Sequence, residues 1–190
     1  MTALRTIYIF WGFWVVSWMV ASRWSAPSIK RSRGPFEDVV YRVLAVVGTI
    51  MLLVVFSPQR LLAGPLWRTG DLAGWLLAGV VAAGFLFAWW ARIHIGRLWS
   101  SGVTKKVDHH VVDTGPYAIV RHPIYTGLIL SALATALARA TASALLGAAV
   151  LTFGFYFKAR IEERFLRAEL GANSYDAYAQ RVPMLVPFLG

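Results

Sequence analysis

Along the chain, stretches without a formal charge alternate with short clusters of Lys and Arg. The charge-free windows are Thr6–Ser22, Val43–Gln59, Leu72–Ala91, His122–Ala138 and Ala140–Phe157, of 17, 17, 20, 17 and 18 residues. A helix that crosses the hydrocarbon of a bilayer takes about 20 residues, with a range of about 17 to 25. Hydrocarbon offers a bare backbone no hydrogen-bond partners, so segments of this kind are expected to be helical. The pattern predicts an all-α, polytopic integral membrane protein with five transmembrane helices. Only Arg139 separates the fourth window from the fifth, which predicts that helices 4 and 5 form a C-terminal antiparallel hairpin.

Composition agrees with this class. Of the 190 residues 58% are hydrophobic, nine are Trp and only 15% are charged, against roughly 25% charged in an ordinary soluble domain. A chain of this length is expected to be a single membrane domain, residues 1–190. Cytoplasmic loops carry an excess of Lys and Arg. Of the 19 basic residues, fifteen fall on the side that receives Arg23, Arg42, Arg92, Arg121 and Lys158, and four (Arg5, Arg60, Arg68, Arg139) fall on the other. That bias predicts an N-terminus outside and a cytoplasmic C-terminus. A cleaved signal peptide is the weaker reading of the first window, because cleavage leaves the Lys30–Arg33 cluster outside.

The net charge of +10 is explained by topology and by attraction to anionic membrane lipids. The cations lie in loops on one membrane face with no nucleic-acid motif among them, so no nucleic-acid partner is expected. The absence of cysteine excludes disulfides, thiolate metal sites and a cysteine nucleophile. Asp108, His109, His110, Asp113 and His122 match no metal-ligand spacing, so no metal site is expected. The prolines, glycine and charges of 27–38 predict a cytoplasmic loop, and 57–71 an external one. The aromatic stripe 8–18 reads as lipid-facing packing and interface anchoring. Gly79 and Gly84 read as points of close helix packing.

The candidate chemistry lies at one edge of the hairpin. "GPYAIVRHPIYTG", residues 115–127, places Arg121 and His122 just before Pro123, which suits the first position of a helix. The predicted hairpin brings this point beside "FKARIEERFL", residues 157–166, where Lys158 and Glu162 share a helix face and Glu163 is rotated by about 100°. Tyr117, Arg121, His122, Tyr125, Glu162 and Glu163 together offer aromatic faces, donors and two adjacent carboxylates. A zwitterionic, purine-bearing ligand needs these groups.

These residues resemble the isoprenylcysteine carboxyl methyltransferases and related phospholipid methyltransferases. "GPYAIVRHPIYTG" is similar to their arginine-histidine-proline-x-tyrosine-x-glycine motif, "IEERFL" to their paired-glutamate motif and "YDAYAQRVPMLVPF" to their C-terminal ending. The resemblance covers roughly residues 89–190, with residues 1–70 left as variable N-terminal helices. It implies S-adenosylmethionine as cofactor, with S-adenosylhomocysteine as product, bound without a Rossmann fold. It also implies that His109, His110, Val111, Val112, Tyr117, His122, Pro123, Ile124, Tyr125, Glu162 and Glu163 contact the cofactor.

Lys158, Arg160 and Arg121 are the candidate catalytic cations. Lys158 stands where the eukaryotic enzymes of the family have an arginine for the substrate carboxylate. A lysine is a point charge without the bidentate fork, which widens the acceptor to other lipids, isoprenoids or small thiols entering from the bilayer. A membrane reductase of the sterol-reductase type, or a non-catalytic transporter or assembly protein, are the alternatives. Neither the acceptor's identity nor the oligomeric state follows from the sequence.

Overall fold

The computed structural model describes residues 1–25, 28–31, 35–54, 65–99, 104–106 and 111–188. Six helices run in the order α1 (Ala3–Ala21), α2 (Pro35–Leu53), α3 (Asp71–Ile95), α4 (Pro123–Arg139), α5 (Ala142–Leu170) and α6 (Ala172–Arg181). Single turns of 3-10 helix at Gly96–Leu98 and Gly115–Ala118 extend α3 and precede α4. Two short strands, β1 (Ser28–Arg31) and β2 (Thr104–Lys106), pair antiparallel with Lys30 opposite Lys105. The chain is therefore not helical throughout.

The expectation of five transmembrane helices is corrected. Among the described residues three helices are long and apolar enough to cross a membrane, Ala3–Ala21, Asp71–Leu98 and Ala142–Glu169. The reason lies in where the helices begin and end. α2 starts at Pro35, inside the segment read as a loop, and carries Glu37, Asp38 and Arg42 in its first turns. α4 has 17 residues, about 25 Å of helix against a hydrocarbon core of about 30 Å. α5 does the opposite: its 29 residues continue past its apolar window, so "FKARIEERFL" lies on the same unbroken helix.

Two antiparallel pairs, α3 with α4 and α2 with α5, build the bundle, and glycine sets how closely each pair approaches. In the first pair a Cβ on Gly84 would lie 2.6 Å from the Gly127 carbonyl oxygen, and one on Gly127 would collide with the Gly84 carbonyl. In the second, a Cβ on Gly147 would lie 2.5 Å from the Leu52 amide and 2.7 Å from the Gly48 carbonyl. These neighbours are backbone atoms that cannot rotate away, so the small residues let the helix axes come together. Gly79 has open space around it.

α1 docks on α3 through rings that the sequence pattern had assigned to lipid. Trp11 and Trp14 meet Phe85 at 4.9 and 5.6 Å between ring centres, and Trp18 meets Trp89 and Trp99 at 5.6 and 5.5 Å. Trp11 donates to Thr135 Oγ1 at 3.0 Å, tying α1 to α4 as well. The other face of α1, with Ile9, Phe13 and Val16, is exposed.

Two arginines close helix ends that are not their own. Arg92, wholly buried, donates to the Ala21 carbonyl at 2.8 Å, to the Trp24 carbonyl and to the Gly96 carbonyl at 2.7 Å. Its guanidinium lies 4.9 and 4.7 Å from the rings of Trp24 and Trp99. Arg139, read from the sequence as an external loop charge, is buried and donates to the carbonyls of Leu52 and Val54 at the end of α2. A guanidinium suits this position because the last carbonyls of a helix lack intrahelical donors and carry the negative end of its dipole. The turn from α4 to α5 is short: Ala140 takes the left-handed conformation (φ 53°) and Thr141 accepts the Ala144 amide at 3.3 Å.

Gly84→Val is expected to lower stability by about 1–3 kcal/mol or more, because overpacking here pushes backbone against backbone. Gly79→Ala is expected to be neutral or slightly stabilising, since alanine is the better helix former by up to about 1 kcal/mol. Thermal unfolding of both variants in the same detergent micelle checks the contrast.

Candidate functional site

The site is assembled on the turn before α4. Gly115 has φ 58°, and a Cβ there would sit 2.7 Å from His94 Cε1 at the end of α3. Glycine is the residue that tolerates both conditions. The His94 ring stacks on Tyr117 at 6.3 Å and its Nε2 lies 2.9 Å from Thr114 Oγ1, which fixes the turn to α3. Pro123 then opens α4 at its first position, behind His122 as the N-terminal cap.

The C-terminal segment straps this turn in place. The amides of Arg121 and His122 donate to the carbonyls of Pro183 and Met184 at 2.8 and 3.1 Å. Thr126 Oγ1 donates to Leu185 O at 2.7 Å, and Tyr178 OH to Tyr117 O at 2.7 Å. Arg121 Nη1 also reaches the carbonyls of Ala179 and Val182, at 2.9 and 2.5 Å. Two of the sequence motifs, 115–127 and the ending that includes "RVPMLV", thus form one backbone-bonded unit.

The third motif faces that unit from α5. Arg121 Nε donates to Glu163 Oε1 at 2.7 Å, and His122 Nε2 lies 3.2 Å from the same oxygen. His122 Nδ1 lies 3.6 Å from Glu162 Oε2. Tyr125 OH donates to Glu162 Oε1 at 2.7 Å, with Lys158 Nζ 3.8 Å away. The rings of His122, Tyr125 and Phe155 form a stack with centres 5.4 and 5.3 Å apart. Burial opposes the charged imidazolium of His122, but hydrogen bonds and charge from Glu162 and then Glu163 outweigh it and hold its pKa above the ordinary value. Burial, above all, pushes the Tyr117 hydroxyl well above the usual phenol range.

Of the candidates read from the sequence, Arg121, His122, Tyr125, Lys158, Glu162 and Glu163 converge directly. Tyr117, Ile124 and Val112 pack in the same hydrophobic cluster as Tyr125, and Val111 packs with Tyr175, Tyr178 and Val182. Pro123 is buried at the start of α4. Arg160 is exposed on α5 and stands apart from the cluster, and His109 and His110 lie outside the described residues. Three further residues adjoin the site that sequence reasoning did not pick: His94, and Asp38 and Tyr41 of α2. Both of the latter are buried, and the Tyr41 ring is 4.9 Å from Lys158 Nζ. Asp38 and Tyr41 share a helix face only once α2 is known to start at Pro35.

The chemistry of this donor set suits a ligand that carries hydroxyls or an ammonium, a carboxylate and an aromatic base. Glu162 is 18% exposed, so an incoming donor can reach a carboxylate that is already oriented. Tyr117 and Tyr125 contribute ring surface to the cluster, and a protonated His122 suits an anion.

Comparison with known proteins points the same way. Residues 76–168 match the isoprenylcysteine carboxyl methyltransferase family. The chain is 35% identical over 152 residues to methanethiol S-methyltransferase 2 of Bradyrhizobium diazoefficiens, covering 75% of this chain and 58% of that protein. It is 35% identical over 89 residues to protein-S-isoprenylcysteine O-methyltransferase B of Arabidopsis thaliana, covering 46% of this chain and 44% of that one. The Schizosaccharomyces pombe protein-S-isoprenylcysteine O-methyltransferase is 35% identical over 102 residues, covering 52% and 43%. The chain thus spans between two fifths and three fifths of the length of these curated relatives. The matched segment, residues 76–168, holds the turn before α4, the paired glutamates and the helices that bring them together, and this segment is of the isoprenylcysteine carboxyl methyltransferase family.

Proposed function

We propose that this chain is an S-adenosylmethionine-dependent methyltransferase of the membrane, acting on a lipophilic or thiol-type acceptor. The observation that carries the reading is the closure of two motifs, Arg121–Tyr125 and Glu162–Glu163, onto one partly buried cluster of opposite charges and ring faces. The family of the matched segment implies the same cofactor. The relatives named above are called methyltransferases of methanethiol and of protein isoprenylcysteine, so sulfur and carboxylate acceptors are both within reach.

When bound, S-adenosylmethionine supplies an electrophilic methyl group next to a positive sulfur. In this reading Glu162 holds a ribose hydroxyl or the cofactor's ammonium and His122 its carboxylate, with Tyr117, Tyr125, Val111 and Val112 as further contacts to the cofactor. Glu163, itself held by Arg121, keeps His122 in place and, with Glu162, charged. Lys158 holds the acceptor's anionic oxygen or sulfur: a carboxylate arrives already deprotonated, a thiol first gives its proton to solvent and the ammonium favours the thiolate, and the charges cancel as the methyl moves. Such a displacement depends on alignment and exclusion of water more than on proton transfer. Arg160, exposed on the same helix, adds long-range attraction for an anion. The excess of Lys and Arg at this end of the helices supports a cytoplasmic site and C-terminus, with the N-terminus outside.

Calorimetric titration of the detergent-purified protein with S-adenosylhomocysteine is expected to show binding, and Glu162→Gln and His122→Ala should each weaken it at least about tenfold, the loss of one charge-assisted hydrogen bond. A wild-type protein that shows no heat and no thermal stabilisation with this ligand would falsify the reading.

A pH dependence follows from His122. Its pKa in the folded protein lies above the ordinary value of 6.5, so the stabilisation from its protonated form is complete below 6.5 and is lost as pH rises through the raised value. The melting temperature of wild type minus that of His122→Gln should therefore shrink as pH is increased from 6 towards about 9, and the slope should flatten in a Glu163→Gln background. Differential scanning fluorimetry across buffers of equal ionic strength checks both.

A further inference from the structure

Lys158 lies within the segment matched by the family, residues 76–168, but part of what surrounds it comes from α2, outside that segment. The Tyr41 ring centre is 4.9 Å from Lys158 Nζ, and the Tyr125 ring centre is 5.3 Å from the same atom. Glu162 Oε1 is 3.8 Å away on the next turn of α5. Tyr41 is 5% exposed and packs against Ile161, Phe157 and Phe165 of α5, so its ring is held by the helix that carries the lysine. One turn earlier Asp38, 7% exposed, adds a negative charge that acts on both Tyr41 and Lys158.

A lysine ammonium is a compact charge at the end of a flexible four-carbon stem. Ring faces attract it through their quadrupole, more strongly where water is scarce. Two rings from different helices and one carboxylate restrict where the ammonium sits and leave a limited edge for a further anion. Tyr125 is already engaged: its hydroxyl holds Glu162 and its ring stacks on His122. Tyr41 meets the ammonium from α2 through its ring face, so its effect on the acceptor is read against cofactor affinity measured separately.

We propose that Tyr41 is a positioning residue for the methyl acceptor: its ring fixes the Lys158 ammonium from the α2 side, so that α2 and not the matched segment alone sets how an anionic acceptor is held. The inference rests on the methyl-transfer reading above, with Lys158 on the acceptor side.

The test uses the full chain in detergent and compares wild type, Tyr41→Phe and Tyr41→Leu. Two acceptor probes are used, 1-propanethiol, which reacts as its thiolate after losing its proton to solvent, and N-acetyl-S-farnesylcysteine, which carries a carboxylate, and S-adenosylhomocysteine affinity is measured separately by calorimetry. For whichever probe is methylated, Tyr41→Leu is expected to raise the acceptor KM about tenfold while cofactor affinity stays within about twofold, and Tyr41→Phe, which keeps the ring face, is expected to stay close to wild type. An unchanged KM in Tyr41→Leu overturns the proposal. So does a loss of cofactor affinity in step with the rise in KM, which would mark a structural role, or a Phe variant as impaired as the Leu variant. A wild type that binds S-adenosylhomocysteine but methylates neither probe also overturns it, whereas a wild type that binds no S-adenosylhomocysteine overturns the methyltransferase reading instead.

Discussion

Two adjacent carboxylates on one helix, both largely withdrawn from water, are the constraint from which the rest of the arrangement follows. Removing a carboxylate from water costs several kcal/mol unless charge and hydrogen bonds replace the lost hydration. Because successive helical residues point about 100° apart, Glu162 and Glu163 cannot share all their partners. Glu163 takes Arg121, Glu162 takes Tyr125 and Lys158, and His122 stands between them. Apart from Lys158, one turn away on the same helix, these partners come from the start of α4, which has to sit within about 3 Å of α5. The two-residue connection between α4 and α5 and the strap of residues 179–185 serve that requirement.

The remaining packing holds those first turns steady. Glycine pairs let α3 approach α4 and α2 approach α5 until backbones touch, which leaves little freedom for either helix to slide. The aromatic interlock of α1 on α3 adds directional ring contacts, and its Trp11 bond to Thr135 connects the N-terminal helix to the one that bears the site. Since the last turn of α3 carries His94, which supports Gly115 and Tyr117, the position of the turn before α4 is linked to the whole of this packing.

The parts legible in the sequence are those encoded over short distances. The motif at 115–127 and the glutamate pair are contiguous strings, and the short stretch between two apolar windows was enough to place them side by side. What stayed hidden depends on how a charge is satisfied in three dimensions. Counting uncharged residues treats each charge as a boundary, so the second apolar window starts at Val43, eight residues after α2 does, with Asp38 in a loop and Tyr41 ahead of the window. Arg92 and Arg139 were read as markers of the water edge, yet each is buried because backbone carbonyls, and for Arg92 two indole rings, take the place of solvent. The same rule set the number of crossings too high, since a window free of charge is not yet a helix of spanning length.

The arginine caps also bear on how the molecule is made. Leu52 and the arginine that closes its carbonyl are 87 residues apart, and Ala21 and its arginine 71 apart. During synthesis the ends of α1 and α2 emerge long before α3 and α4 deliver those guanidinium groups, so their last carbonyls must meanwhile be satisfied by water or headgroups. Each arginine therefore acts as a late fastener: the earlier helix stays free to shift in depth and tilt until the later one arrives, and the order of translation becomes the order in which the bundle locks.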